Sequence, residues 1–344
     1  MRLLGHATIQ RSSPRPRLLR LAIPVISIAL ALLSGCRIRA LDPAGPASRL
    51  IAGLWWFMLA ISIIVFLAVV VTLAIALLRR RGDEEEEARA HRVSYGLITW
   101  GGAIVPGIIV LGLMIYNTFV IVNLETPPPD NVLEVMVRAH HFWWEVNYHQ
   151  YGFATANEIH VPTGQPFVVL LDSEDVIHSF WVPQLHGKRD LMPDFTGRLW
   201  MQADEPGIYR GQCAEFCGLQ HAKMKFVVVA LEPNDFQAWL QQQLEERLIP
   251  TSGRALRGRQ IFMGSECVYC HAISGTNATS TFGPDLTNIA SRLELGAGTL
   301  PNTRGNLAAW IIDAQHFKPG NYMPPMPIEG PDLQDMLHYM DTLH

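Results

Sequence analysis

"IHVPTGQPFVVLLDS", residues 159–173, is two short apolar runs parted by Thr-Gly-Gln-Pro. Isoleucine and valine suit a pleated surface, and the glycine and prolines between the runs interrupt any helix, so the stretch reads as two strands joined by a turn. "VLEVMVRA" (132–139) before it and "MKFVVVALE" (224–232) after it have the same β-branched, partly alternating character. No long helical pattern intervenes before residue 235. Short strands separated by turn residues predict an all-β sandwich or barrel, because βαβ units would need helices between the strands.

Upstream the pattern is continuous apolarity. Leu50–Leu78 and Val93–Leu124 contain no charged residue, and each exceeds the roughly 18 residues that mark a transmembrane helix. Residues 49–124 therefore predict a two-helix transmembrane hairpin in membrane lipid. A shorter uncharged run follows Arg11, Arg15, Arg17 and Arg20 and ends in Leu33-Ser34-Gly35-Cys36. Residues 1–36 thus resemble a bacterial signal peptide with a lipobox; the alternative is an uncleaved signal anchor with an incidental cysteine. Arg79, Arg80 and Arg81 close the first span and belong in the cytoplasm, which places everything after Leu124 outside. The expected location is a bacterial inner membrane, multi-pass, with the C-terminal domains on the periplasmic side. The acidic Asp83–Glu87 counts little in this rule and reads as a solvated loop.

Pro127-Pro128-Pro129 breaks the membrane pattern, so the all-β domain is placed at 125–249. "DFQAWLQQQLEERL" (235–248) has helical spacing and leads out of it, and Pro250–Gly253 reads as a linker. Residues 250–344 turn helical in "RALRGRQIF" (254–262), "NLAAWIIDA" (306–314) and "DLQDMLHYMDTL" (332–343), where Leu333, Met336, Leu337 and Met340 recur at helical spacing. No internal repeat is seen.

The net charge of −4 hides a partition: residues 1–124 carry 13 basic and 6 acidic groups, 125–249 carry 8 and 17, and 250–344 carry 6 and 8. An exported acidic domain attracts basic partners and repels nucleic acid. The five cysteines fall at Cys36, Cys213, Cys217, Cys267 and Cys270, all within motifs, which leaves none over for a disulfide framework.

In "GQCAEFCGLQHAKM" (211–224), Cys213, Cys217, His221 and Met224 step by four, four and three, which would make a stripe on a helix; Gly211 and Gly218 argue for a loop. A structural zinc clip or a disulfide would account for CxxxC alone. Thiolates with imidazole and a weak thioether on a β-scaffold select copper instead, in the manner of electron-transfer sites. A second histidine is needed, and His178 in "DSEDVIHSFWVP" (172–183) follows a strand and an acidic turn that can present it; a half-buried histidine bonded to backbone is the alternative.

"VIHSFWVP" followed by "GQCAEFCGLQHAKM" and a terminal strand resembles subunit II of the haem-copper cytochrome c oxidases, over about residues 50–240. The resemblance implies a cupredoxin-like barrel and the binuclear copper centre CuA, with Cys213 and Cys217 bridging both coppers and His178 and His221 capping one each. Met224 would bind one copper weakly and the Glu215 carbonyl the other. It also implies that the Glu215 side chain reaches a magnesium ion shared with subunit I. "HHFWWEVNY" (140–148) resembles the aromatic patch at which electrons arrive from cytochrome c, but Phe142 stands where the family commonly has Trp, so that role falls on Trp143 and Trp144. Barrel core or a membrane-interface belt is the plainer reading of these rings. "HRVSYGLITW" (91–100) lacks the glutamate that many members carry before the second helix, so no proton role is assigned there.

Cys267-Val268-Tyr269-Cys270-His271 is CxxCH: two thiols for thioether bonds to haem c and His271 as axial ligand. "KPGNYMPPMP" (318–327) offers the opposite ligand, and Met323 matches the Pro-Gly-x-x-Met-Pro setting of small cytochromes c, with Met326 as the fallback. A fused class I cytochrome c domain is a known variant of the family, and the whole chain resembles it. The expectation is a subunit at which electrons enter a respiratory oxidase, an oxidoreductase and translocase. Electrons pass from cytochrome c or another donor through its haem and CuA to subunit I, where dioxygen is reduced and protons are pumped; subunit III is a further expected partner. The rivals are a subunit of a nitric oxide reductase, a membrane-anchored copper assembly lipoprotein, which has no need of CxxCH, and a zinc-stabilised receptor domain.

Overall fold

The computed structural model describes residues 39–78, 91, 93–126, 131–245 and 250–344. The leader and lipobox expected over 1–36, Arg79–Arg81, Asp83–Glu87, Pro127–Pro129 and the end of the helix expected to Leu248 lie outside the described residues.

Helix α1 (Pro46–Leu78) and helix α2 (Val105–Glu125), the latter continuing a π-helical turn over Leu97–Ile104, are the two apolar spans. They touch where the Phe57 and Tyr116 rings meet edge to face at 5.3 Å. Elsewhere their large apolar side chains point outward, with Phe66 65% and Leu78 84% exposed. Apolar area on that scale is tolerated in lipid or against another chain and not in water. The helices are pinned to the β-domain by the Trp200 indole N–H donating to the Leu124 carbonyl at 2.7 Å and by an Arg49–Asp204 ion pair.

Ten strands form two five-stranded sheets. Strands β1 (Leu133–His140), β2 (Trp143–Tyr148), β3 (Phe153–Ala156), β5 (Phe167–Ser173) and β8 (Gly197–Met201) make one, in the order β3-β2-β1-β5-β8. Strands β4 (Glu158–Pro162), β6 (His178–Trp181), β7 (Arg189–Leu191), β9 (Gly207–Cys213) and β10 (Lys225–Leu231) make the other, in the order β4-β10-β9-β6-β7. β1 runs parallel to β5 and β10 parallel to β4; the other pairings are antiparallel. Alternation fixes which face is inside: Val135, Val137 and Ala139 of β1 are fully buried while Met136 and Arg138 are not. "IHVPTGQPFVVLLDS" thus becomes β4, a turn and β5, one strand to each sheet. The core centres on Trp144, Phe180 and Phe226, whose rings lie 4.4–5.9 Å apart.

Helix α3 (Pro233–Leu244) closes the sandwich by burying Phe236 and Leu240. Beyond it, α4 (Gly253–Met263) crosses α7 (Gly330–Met340) at Gly258, where a side chain would collide with the Asp335 carbonyl. Arg254 and Arg257 close that crossing by donating to the Asp335 carboxylate. The helix expected over "NLAAWIIDA" is instead two, α5 (Arg304–Ile312) and α6 (Ala314–Phe317). Asp313 ends the first, and its side chain accepts the His316 N–H to cap the second. The predicted stripe Leu333, Met336, Leu337 and Met340 is buried in a second core with Phe262 and Ile289.

Candidate functional site: a soft-ligand loop and a haem-sized cavity

Pairing of β6 with β9 opposes Phe180 to Cys213, which brings His178 and the cysteine loop to one end of the sandwich. His178 is the first residue of β6 and is fully buried. β9 runs as far as Cys213 because Gly211 lets the Phe226 ring lie against its backbone: a Cβ there would sit 2.3 Å from the ring. Gly218 follows with φ +127, a conformation that side chains resist, and the chain turns back through a 3-10 turn at His221–Lys223.

Six donors converge in this loop. The Cys213 and Cys217 sulfurs lie 3.8 Å apart. His178 Nδ1 is 3.8 Å from Cys213 Sγ, and the Glu215 carbonyl is 3.1 Å from it. His221 Nδ1 and Met224 Sδ each lie 3.8 Å from Cys217 Sγ. Cys213, Cys217, His178 and Met224 are buried, and the ligand atoms of His178, Cys213 and Cys217 fall within 4.8 Å of one another. All four cysteines among the described residues are free thiols. The Cys217 thiol donates toward Cys213, which pulls the Cys213 thiol far below its ordinary range and pushes its own up, so the pair carries one negative charge readily and needs a cation for the second. Two thiols, two imidazoles, a thioether and a carbonyl with no open position fit copper in an electron-transfer role; a structural zinc site leaves no task for the thioether.

Behind the loop lies a network not anticipated from the sequence. The Asp175 carboxylate accepts from His178 Nε2 at 2.8 Å and from the backbone N–H of His141 at 2.6 Å, and the His141 Nε2 meets the Cys217 carbonyl at 3.1 Å. Asp175 had only the look of a turn-forming acid. Of the aromatic pair, Trp144 is a core residue, 6.1 Å from the His178 ring, and Trp143 is 9% exposed and stacked on His140 at 4.4 Å.

The helical domain encloses a cavity of about 650 Å³ lined by Cys267, Cys270, His271, Met323 and Met326, with an apolar wall that includes Phe262, Ile311 and Met340. A 3-10 turn at Glu266–Tyr269 presents the cysteines, with Ser265 capping it by accepting the Cys267 N–H. Gly283 lets the chain pass His271 closely, since a Cβ there would lie 2.9 Å from the imidazole. His271 Nδ1 donates to the Pro284 carbonyl at 2.7 Å, so Nε2 is left as the free, metal-binding nitrogen. Paired thiols, an oriented imidazole and an apolar cavity fit a covalently attached haem. His141, Phe142 and Trp143 of the β-domain line the same cavity.

Two apolar spans, a β-sandwich with a closed soft donor set and a helical domain with a CxxCH cavity define a membrane-anchored electron-transport protein. Known proteins agree. The family described as cytochrome c oxidase subunit II, periplasmic domain, matches residues 145–231, and the cytochrome c family matches 255–344. Cytochrome c oxidase subunit 2 of Alkalihalophilus pseudofirmus is 36% identical over 92% of this chain and 95% of its own. That of Bacillus subtilis is 32% identical over 66% of this chain and 67% of its own. The solved periplasmic domain of cytochrome oxidase subunit II from Bradyrhizobium japonicum is 26% identical and covers 34% of this chain and 96% of its own, with a TM-score of 0.33. The chain belongs to the cytochrome c oxidase subunit 2 family, in the form that carries a cytochrome c domain. It is therefore a subunit of a haem-copper oxidase, an oxidoreductase, whose copper-binding and haem-binding domains are the two described above.

Proposed function

We propose that this chain receives electrons at the haem held by Cys267, Cys270 and His271, passes them to copper held by His178, Cys213, Glu215, Cys217, His221 and Met224, and delivers them to subunit I. In that partner dioxygen is reduced and protons are pumped. When bound, the two groups supply outer-sphere, one-electron chemistry, and the chain's residues keep both sites closed to substrate. The β-domain at 125–249 and the cytochrome domain at 250–344 are read as the two stations, on the periplasmic face.

The observation that carries this reading is that the two sites share a wall. His141 lines the haem cavity, and its Nε2 meets the Cys217 carbonyl at 3.1 Å. Of the rings expected to receive electrons, Trp143 lines the haem cavity and Trp144 is fully buried in the core of the β-domain, so neither lies on an open surface. An external donor would on this reading meet the haem domain first.

Met323 is the axial ligand in this reading. Met326 Sδ sits 3.9 Å from Cys267 Sγ, one of the thiols that would attach the haem, so it packs beside an attachment point and Met323 is left to supply the thioether ligand. The Met323 backbone is fixed from both sides: its N–H donates to Asn321 Oδ1 at 2.8 Å and its carbonyl accepts from Gln315 at 2.8 Å. The exposed side chain of Glu215 is free to reach outward, as a magnesium ion shared with subunit I would need.

Metal analysis of the haem-loaded, copper-replete full chain tests the assignment. Two coppers for each iron support it; zinc without copper would make the loop a structural clip and remove the second station.

A further inference from the structure

The segment Phe317–Met323, which carries the proposed axial methionine, and the segment Cys217–Met224, which carries half of the copper donors, hold each other directly. From the copper loop, Lys223 Nζ donates to the Phe317 carbonyl at 2.6 Å, and the Gln220 side chain donates to the Pro319 carbonyl. Gly320, at φ +85, lies so close to Leu219 that a Cβ would stand 2.9 Å from Leu219 Cδ1. In the opposite direction Lys318 reaches back into the β-domain, where its Nζ donates to the Phe142 carbonyl at 2.7 Å, and it also donates to the Gly296 carbonyl of its own domain at 3.0 Å.

Lys318 is the odd member of this set. It is 2% exposed, and the two groups that accept from its Nζ, the Phe142 and Gly296 carbonyls, are neutral. Burial pushes its pKa down to about 7. An ammonium buried without a carboxylate costs stability, and an apolar side chain of the same length would fill the space more cheaply. What a methionine or leucine would not do is tie the Phe142 backbone, at the wall between the two sites, to the loop that bears Met323. Lys318 and Phe142 both line the haem cavity.

We propose that Lys318, assisted by Lys223 and Gln220, is a positioning clamp that fixes the cytochrome domain in register with the copper loop, so that docking and not the length of the interdomain linker sets the rate at which the two sites exchange electrons. The proposal rests on the electron path given above. One electron leaves the haem site and one arrives at the copper site, with no bond made or broken. A tether alone predicts something different: effective concentration falls as a flexible linker is lengthened. A docked interface is indifferent to linker length, but transfer slows with the docked fraction when the ties that hold the interface are removed.

The experiment uses the full chain loaded with haem and copper. An electron is injected photochemically into the haem, and its arrival is followed by the bleaching of the copper absorption. The wild type is compared with an insertion of about ten Gly/Ser residues between Thr251 and Ser252, with Lys318→Met, which keeps the stem and removes the donor, and with Lys318→Gln, which keeps a donor without the charge. The clamp predicts that the insertion leaves the rate within about twofold, that Lys318→Met, by removing charge-assisted hydrogen bonds and lowering the docked fraction, slows it by about tenfold or more, and that Lys318→Gln recovers most of that loss. The haem spectrum and the copper paramagnetic signal are recorded on each variant, and slowing counts for the clamp where both signals are retained. Where Lys318→Met does not accumulate as folded protein, the exposed Lys223→Met removes one hydrogen bond between the segments and is expected to slow transfer about threefold. A wild-type rate in the lysine variants, or slowing by the insertion as large as that by Lys318→Met, overturns the clamp while leaving the electron path intact. Absence of transfer in the wild type overturns the path itself and the clamp with it.

Discussion

Asp175 orients His178. Its carboxylate accepts the Nε2–H at 2.8 Å, which turns Nδ1 toward the Cys213 sulfur, 3.8 Å away. The carboxylate thereby fixes the tautomer and the ring plane of a buried imidazole. Asp175→Asn should weaken copper binding by about 10–100-fold, measured by competition with a chelator of known affinity. Wild-type affinity in that variant would show that His178 needs no such support.

The two methionines separate cleanly by spectroscopy. Met323→Leu should abolish the methionine-sulfur-to-iron charge-transfer band of the oxidised haem and lower its midpoint potential, since a thioether ligand raises it. Met326→Leu should leave the band in place and cost only packing against the Cys267 side of the cavity. The opposite pattern would exchange their roles.

Gly211 is a packing requirement set by Phe226, which is itself 2% exposed and stacked on Phe180 at 4.4 Å. A methyl group at 211 would enter the ring. Gly211→Ala should therefore destabilise the chain by about 1–3 kcal/mol, read from denaturant midpoints. It should also broaden the copper signal, because Cys213 follows two residues later on the same strand.

His160 carries an acid sensitivity away from both sites. It is stacked on Trp239 at 4.3 Å, its Nδ1 has no partner, and burial pushes its pKa down to about 4. The unfolded chain, with a histidine pKa near 6.5, binds a proton more readily across that window, so stability contributed here is present above about pH 6.5 and is lost as pH falls toward 4. The upper bound is about 3 kcal/mol. His160→Phe should flatten the fall of the thermal midpoint between pH 6.5 and 4; an unchanged slope would assign the acid sensitivity elsewhere.

Much of this is legible in the sequence, and the limits have physical causes. The strands around residues 133–173 announce themselves because β-branched runs bounded by proline and glycine have few other uses. The donor types were legible in CxxxC…H…M and CxxCH, but that His178 meets residues 35 positions away depends on the β6–β9 pairing, which periodicity does not encode. Trp144 shows another limit: an aromatic beside a functional motif could face the surface or the core, and the strand pairing puts it in the core. Lys318 gave no sign at all. A single lysine in a proline- and glycine-rich loop reads as solvated, and only the folded chain shows its ammonium inside the wall between the two sites. The split of the helix at Asp313 was missed because a capping aspartate and a mid-helix aspartate look alike in sequence.

The central claim is that electrons cross from the haem site to the copper site within one chain. The direct measurement is to reduce the fully loaded, oxidised wild-type chain with one electron through the haem and record both absorptions at protein concentrations differing by about a hundredfold. The account predicts that haem reoxidation and copper reduction coincide in time, at a rate independent of concentration. A rate proportional to concentration, or a haem that stays reduced while copper stays oxidised, would contradict it.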